Sequence, residues 1–481
     1  MSGPSSKIDN PLLIWKVCIP FIAAYCILTF LVKDHIFFWD TVQLASRHAH
    51  WYYENNFQYF FLPESLDSGH PPFFGMGLAL AWKLLGKSLW VSHFYILFFL
   101  IGNVVLCYRL ANYFFDGKKT PWLLILILVD PFLAAQSTLV SPDIILVFFW
   151  LLSILGVIQK KPAILLLAAI GLAALSMRGM MLVFAVFLFY VYRQYYAREK
   201  GMSPAKLIHA VWPFIPSGLL ALIFLYAHYQ HAGWIGYHEN SPWAPSFEPV
   251  SFSDFIKNIG LLGWRLLDFG RVFIWCFIIG LLVYGFWKKI KFSTKLKELL
   301  ALVIILILIT TPSSLLHKSL MAHRYFLPIV LSLTFLGTGL VLHYIKNKSR
   351  QNLVLAIMVI GLLTGNYWVY PKDVAQGWDS TLAHLPYYDL REKMIDYIEE
   401  KNIPFEQIGT AFPNIASLEI LELNGDVRSF SKKDLNKNEY IFYSNVYNDF
   451  SDEELILLEN HWEIEEEMWK GQVCVILYRR L

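Results

Sequence analysis

The sequence predicts a polytopic α-helical membrane protein of about eleven spans, with its N-terminus inside and its C-terminus outside. Outer-surface juxtamembrane helices and a small C-terminal α/β domain are expected to complete it. Three observations lead there. Of 481 residues, 56% are hydrophobic and only 16% charged, against about 25% charged in soluble domains; mean hydropathy is +0.47. The apolar residues gather in runs near the roughly 20 that a helix needs to cross a bilayer. Lysine and arginine concentrate in alternate connections between those runs, as the positive-inside rule requires.

The runs fall at 12–32, 89–112, 120–137, 142–159, 162–176, 180–193, 207–227, 267–287, 297–313, 325–345 and 352–370. The stretch 71–86, PPFFGMGLALAWKLLG, is short, opens on two prolines and carries Lys83. If it does not cross, the cytoplasmic loops hold Arg109/Lys118/Lys119, Lys160/Lys161, Arg193/Arg198/Lys200/Lys206, the 288–297 lysines and Lys346/Lys348/Arg350. If it crosses, every later loop changes sides and the bias inverts. It is therefore expected to lie at the outer surface as an amphipathic or re-entrant helix. The pair 162–176 and 180–193 is short enough to merge into one span.

Composition changes after Tyr370. Residues 1–370 form the expected membrane domain, with a long first outer loop at 33–88, and 371–481 the expected soluble outer domain. In the latter a helical pattern at 389–401 precedes the strand-like QIGTAF and EYIFYSNV, a helix at 451–460 and a terminal QVCVILYRR. No GxGxxG or GxxxxGK[ST] loop occurs, so nucleotide-driven chemistry is not indicated. Net charge +3 without a basic face argues against a nucleic-acid partner. Cys18, Cys26, Cys107, Cys276 and Cys474 form neither a disulfide framework nor a CxxC metal spacing. The first run lacks a small-residue cleavage pattern and reads as an uncleaved helix.

The polar residues that need a reason collect on the outer side. The first loop holds Asp40 between Trp39 and Thr41, then Asp67 and His70 in DSGHPPFF. Asp143 follows a proline in STLVSPDIILVFF, Arg178 lies in SMRGMM, and His317, Lys318, His323, Arg324 and Tyr325 lie in LLHKSLMAHRYFLP. Each has a plainer reading: Asp143 as a helix cap, Asp40 as a solvated interfacial carboxylate, Arg324 as a headgroup anchor. The His228/His231/His238 set reads as loop polarity, because its spacing fits no helical ligand pair.

In this order the motifs resemble the GT-C glycosyltransferase superfamily, in particular the branch of protein O-mannosyltransferases and the lipid A aminoarabinose transferase. The resemblance rests on an acid soon after the first span (Asp40 in FFWDTVQLA) and a Pro-Pro element closing the first outer loop (GHPPFFGMGLALAWKLLG). It continues with a Pro-Asp opening a later span (SPDIILVFFWLLSILG), a basic-Gly turn (LSMRGMMLVF) and an Arg-Tyr at a late span (HRYFLPIVLSL). Two positions depart: Thr41 stands where relatives often have a second acid, and Gly69-His70 where they often have Glu-Lys.

The resemblance implies transfer of a sugar, usually with inversion, from a polyprenyl-phosphate-linked donor to a lipid, glycan or protein acceptor at the outer face of the cell (inner) membrane. Asp40 is then the candidate general base and Asp143 a second catalytic carboxylate. His70, Asp67, Arg178, Lys318, His323, Arg324 and Tyr325 are candidates for substrate or phosphate binding, arginine suiting phosphate best. No cofactor is demanded, and a divalent metal is compatible with such a site. The alternative is a lipid or sugar flippase or secondary transporter, which calls for mid-bilayer charges, broken helices and repeats.

Overall fold

The computed structural model describes residues 11–115, 117, 119–196, 211–239, 244–371 and 374–481. Among them six helices are long and apolar enough to cross a membrane, and two bent helix pairs raise the number to eight. The chain is a multi-pass membrane protein, with fewer full-length apolar helices than the eleven runs suggested. Pro162–Leu175 has 14 residues, about 21 Å at 1.5 Å per residue, short of a bilayer core of about 30 Å. It does not merge with the next run: Ser176 is extended and Met177–Tyr196 is a separate helix. Gly179 lies so close to the Leu172 carbonyl that a Cβ there would sit 1.9 Å from its oxygen. The basic loop residues Lys118, Arg198, Lys200 and Lys206 lie outside the described residues.

Two expected spans are broken. The run 120–137 is divided into Thr120–Leu128 and Pro131–Ser137, bent by 65°. Asp130 sits at the bend and accepts from the Phe132 and Leu133 amides, at 3.2 and 3.4 Å, capping the second half. The run at 267–287 begins later, at Val272, and joins the amphipathic Phe252–Leu267 helix at 99°. Arg271 at that corner is paired with Asp130, both side chains fully buried. A single charge inside an apolar window hides such a break from hydropathy; the partner that makes it tolerable is distant in sequence.

The stretch 71–86 forms a helix at Phe73–Leu85, 13 residues long, again too short to span. It packs against Leu89–Phe115 and against the helix His48–Glu54. The latter follows directly on a π-helical stretch, Val42–Arg47.

The C-terminal region is α/β. A five-stranded sheet has the order β2-β1-β3-β5-β4, with β1 at Ile408–Thr410, β2 at Ser431–Lys432, β3 at Tyr440–Ser444, β4 at Trp462–Lys470 and β5 at Val473–Arg480. β1 runs parallel to β2 and β3, while β5 pairs antiparallel with β3 and β4. The helix Pro386–Glu400 packs against β4 and β5. β4, WEIEEEMWK, had no clear strand signal because its acids suit an exposed edge rather than a core.

The two regions interlock. Phe38, from the loop after the first apolar helix, is fully buried in the core of the C-terminal region and stacks on His384 at 5.2 Å. In return Ala416 and Leu421 belong to the core of the helical bundle, and the Phe37 amide donates to the Leu421 carbonyl at 3.0 Å.

Candidate active site

The apolar anchor Phe38 sets the position of Asp40. Between them Trp39 is left-handed, φ +52, a region an aromatic residue rarely visits. Thr41 staples the turn: its hydroxyl donates to the Phe38 carbonyl at 2.7 Å and accepts from the Phe38 amide at 2.9 Å. Thr41 thus has a structural use. The turn directs the Asp40 carboxylate at Arg324.

Arg324 is the hub. Its guanidinium is ion-paired with Asp40 and with Asp379, and its Nε lies 3.6 Å from Asp143 Oδ2. Asp143 opens the Pro142–Gln159 helix, but Ser141 is the cap, accepting from the Asp143 amide at 3.2 Å. The Asp143 carboxylate is therefore free to face the arginines, and its Oδ1 is 2.7 Å from Arg178. Both guanidinium groups flank the Tyr325 ring, Arg178 at 4.4 Å and Arg324 at 5.0 Å from its centre. Five residues singled out in the sequence (Asp40, Asp143, Arg178, Arg324 and Tyr325) thus meet at one place.

Asp379 was not singled out. It lies in the 3₁₀ turn Trp378–Ser380, past the composition boundary at 371. Gln136 donates to its backbone carbonyl at 2.8 Å and accepts from Ser141. The only local signal was an acid beside tryptophan in a segment with few charges, QGWDS.

Exposure sorts the groups by what they can touch. Asp40 keeps 26% of its side-chain surface exposed, while Asp143 keeps 3% and Arg324 10%. An open cleft of about 710 Å³ is lined by Asp40, Asp67, His70, Arg178, Trp234 and Tyr325, among others. Asp40 and Arg178 are its ionic pair of walls; Asp143 and Arg324 lie behind them.

The remaining candidates sit apart from the hub. Asp67 lines the cleft but accepts from His228 Nε2 at 2.8 Å and from the Gly69 amide at 2.8 Å. Gly69 has φ +70, and a Cβ there would lie 2.4 Å from the Gly236 carbonyl oxygen, which explains the glycine at this position. His70 is half-buried at the cleft wall, with its Nδ1 unpartnered among the described residues. Burial, with help from Arg178 and His48, lowers its pKa to about 4, which favours the neutral imidazole. Lys318 is an exposed partner of Glu248 at the surface. His323 is buried beside Asp268 at 3.0 Å and packs on Phe132 and Phe269; it does not line the cleft.

Three carboxylates facing two guanidinium groups leave one negative charge in excess. Burial raises the Asp40 carboxyl, Arg324 opposes that, and Asp379 and Asp143 add to it; the net direction is up. The result is a carboxylate more basic than an ordinary aspartate. The centre of the acids is filled by arginine, and among the described residues no group of three or more His, Cys, Asp or Glu is arranged to hold a metal. This donor set does not fit a divalent ion.

Helical bundle, first-loop helices and C-terminal sheet together make up a fold that the chain shares with a solved protein. The particular protein it is similar to is ArnT from Cupriavidus metallidurans. Its apo structure matches with a TM-score of 0.51 and 10% identity, covering 95% of this chain and 97% of that one. A structure of the same ArnT bound to undecaprenyl phosphate gives 0.49 and 11% identity over the same shares. At such identities the likeness is one of fold. No protein-family profile and no curated protein sequence matches the chain.

Proposed function

We propose that this chain is a glycosyltransferase of the cell (inner) membrane that moves a sugar from a polyprenyl-phosphate-linked donor to a lipid, glycan or protein acceptor at the outer face. The observation that carries this is the pairing, across one cleft, of an accessible basic carboxylate, Asp40, with an accessible guanidinium, Arg178. The Asp40 carboxylate takes the proton of the acceptor hydroxyl. The freed oxygen bonds to the anomeric carbon as the bond from that carbon to the donor phosphate breaks. The phosphate leaves with the bonding pair and is met by Arg178 through paired N–H donors. A single displacement of this kind inverts the anomeric centre. Asp143 aligns Arg178 and Arg324; Asp379 and Arg324 hold Asp40 in place.

A donor that cannot leave the bilayer is the reason to build such a site at the end of apolar helices. Undecaprenyl phosphate, bound in one ArnT structure, is a carrier of that class. The lysine distribution supports a cytoplasmic N-terminus and an extracytoplasmic C-terminal region. The broken helices that a transporter would use are present at Asp130 and Arg271, but those charges neutralise one another in a fully buried pair.

Mass analysis of envelope lipids and glycans from cells with and without the protein tests the proposal. The expected result is a hexose- or pentose-sized mass increment on one acceptor, present only with the protein. Identical profiles, with no accumulation of glycosylated polyprenyl phosphate in its absence, would overturn it.

A further inference from the structure

The C-terminal sheet has two faces of different character. Alternate residues of a strand share a face, and the register sets Ile464 beside Tyr478, Glu467 beside Ile476 and Trp469 beside Cys474; Tyr443 joins this face opposite Ile476. That face looks onto a cleft of about 1640 Å³, walled on its other side by Tyr370 and the segment 374–378.

The lining has a definite chemistry. Among the described residues it offers aromatic rings (Trp378, Tyr443, Trp469, Tyr478), primary amides (Gln376, Asn445, Asn448, Gln472) and three acids, Asp452, Glu459 and Glu467, with no lysine, arginine or histidine. Gln376 is 3% exposed. Its Oε1 accepts from the Tyr370 amide at 2.7 Å, and its backbone carbonyl from Asn448 at 2.9 Å. Its Nε2, at the cleft wall, has no partner among the described residues, an unusual state for a buried amide. The three acids of the described lining disfavour phosphates and carboxylates. Ring faces and amides suit a ligand with apolar C–H faces and a hydroxylated edge. The wall also leads to the proposed reaction centre, since Trp378 lines the cleft and Asp379, the next residue, is bonded to Arg324.

We propose that this cleft is a saccharide-binding subsite that takes a neutral or amino-sugar unit of the acceptor glycan. That the bound glycan is the acceptor rests on the transferase reading above; the sugar binding itself does not. Trp469 is 60% exposed and supplies a platform whose removal leaves the sheet core intact.

The test is titration of the full chain in lipid nanodiscs, read by tryptophan fluorescence and calorimetry. The probes are chitotetraose, its de-N-acetylated form, maltotetraose, mannotetraose and, as an anion, tetragalacturonate. At least one neutral or amino-sugar probe is expected to bind, tetragalacturonate at least tenfold more weakly, and Trp469→Ala to weaken binding at least tenfold at an unchanged melting temperature. Glu467→Gln is expected to weaken the amino-sugar form relative to the neutral ones if that form binds. The subsite is overturned if no neutral or amino-sugar probe binds, if tetragalacturonate binds as tightly, or if Trp469→Ala binds as wild type. Sugar binding without any turnover of donor would instead sink the transferase reading alone.

Discussion

Asp379, from the C-terminal region, is ion-paired with Arg324, at the start of a membrane helix. That pair makes the C-terminal region part of the proposed reaction centre. The same guanidinium engages Asp40 and approaches Asp143, so one side chain aligns acids from three separate parts of the chain.

Arg324→Leu leaves those acids without their common counter-charge. Breaking a buried pair in this way costs about 3–5 kcal/mol, and thermal unfolding in detergent is expected to show a loss of that order. Arg324→Lys is expected to recover only part of it, because an ammonium lacks the planar fork that reaches two carboxylates. Full rescue by lysine would show that only the charge matters.

The two carboxylates expected to be catalytic differ in access, and their variants are expected to differ in kind. Asp143→Asn loosens Arg178 without removing the base, so kcat falls by less than in Asp40→Asn. Lys318→Ala, at an exposed pair with Glu248, is expected to leave kcat and KM within about twofold of wild type, because solvent and salt screen such surface pairs. Steady-state kinetics on purified variants checks both.

The pH profile reports on Asp40. A general base acts when deprotonated, so activity is lost as pH falls through its pKa. That pKa is raised above the ordinary value, chiefly by burial, which places the acid limb of kcat/KM above the usual aspartate value of about 3.9. Arg324 opposes the rise; Arg324→Gln is therefore expected to move the limb to higher pH. A limb that stays in place would separate Asp40 from the rate.

Phe38 carries the turn that aims Asp40. It is fully buried among His384, Tyr387 and Tyr388. Phe38→Ala is expected to cost about 3–5 kcal/mol and to lower kcat, read by thermal unfolding and turnover on the same preparation.

Much of this was legible in the sequence. Hydropathy runs located the helices, and Asp40, Asp143, Arg178, Arg324 and Tyr325 do meet. What it hid has physical causes. Asp379 is folded back from a region that composition assigns to another domain, and no local pattern announces a tertiary ion pair. Lys318, His323 and Arg324 stand almost adjacent in HKSLMAHRYF, yet only burial and direction separate an exposed lysine from a central arginine. The strand β4 was hidden because an acid-rich edge lacks the alternation of a buried strand, and the break at Asp130 because its partner, Arg271, is remote.

The most direct measurement uses glycosylated polyprenyl phosphate extracted from cells lacking the protein, incubated with purified wild type or Asp40→Asn and an envelope acceptor fraction. Released polyprenyl phosphate and glycosylated acceptor are quantified together by mass spectrometry. Wild type is expected to yield both in equal amounts, and Asp40→Asn to be slower by on the order of 10²–10⁴-fold at an unchanged melting temperature. An Asp40→Asn protein that transfers sugar at the wild-type rate would contradict the mechanism at its centre.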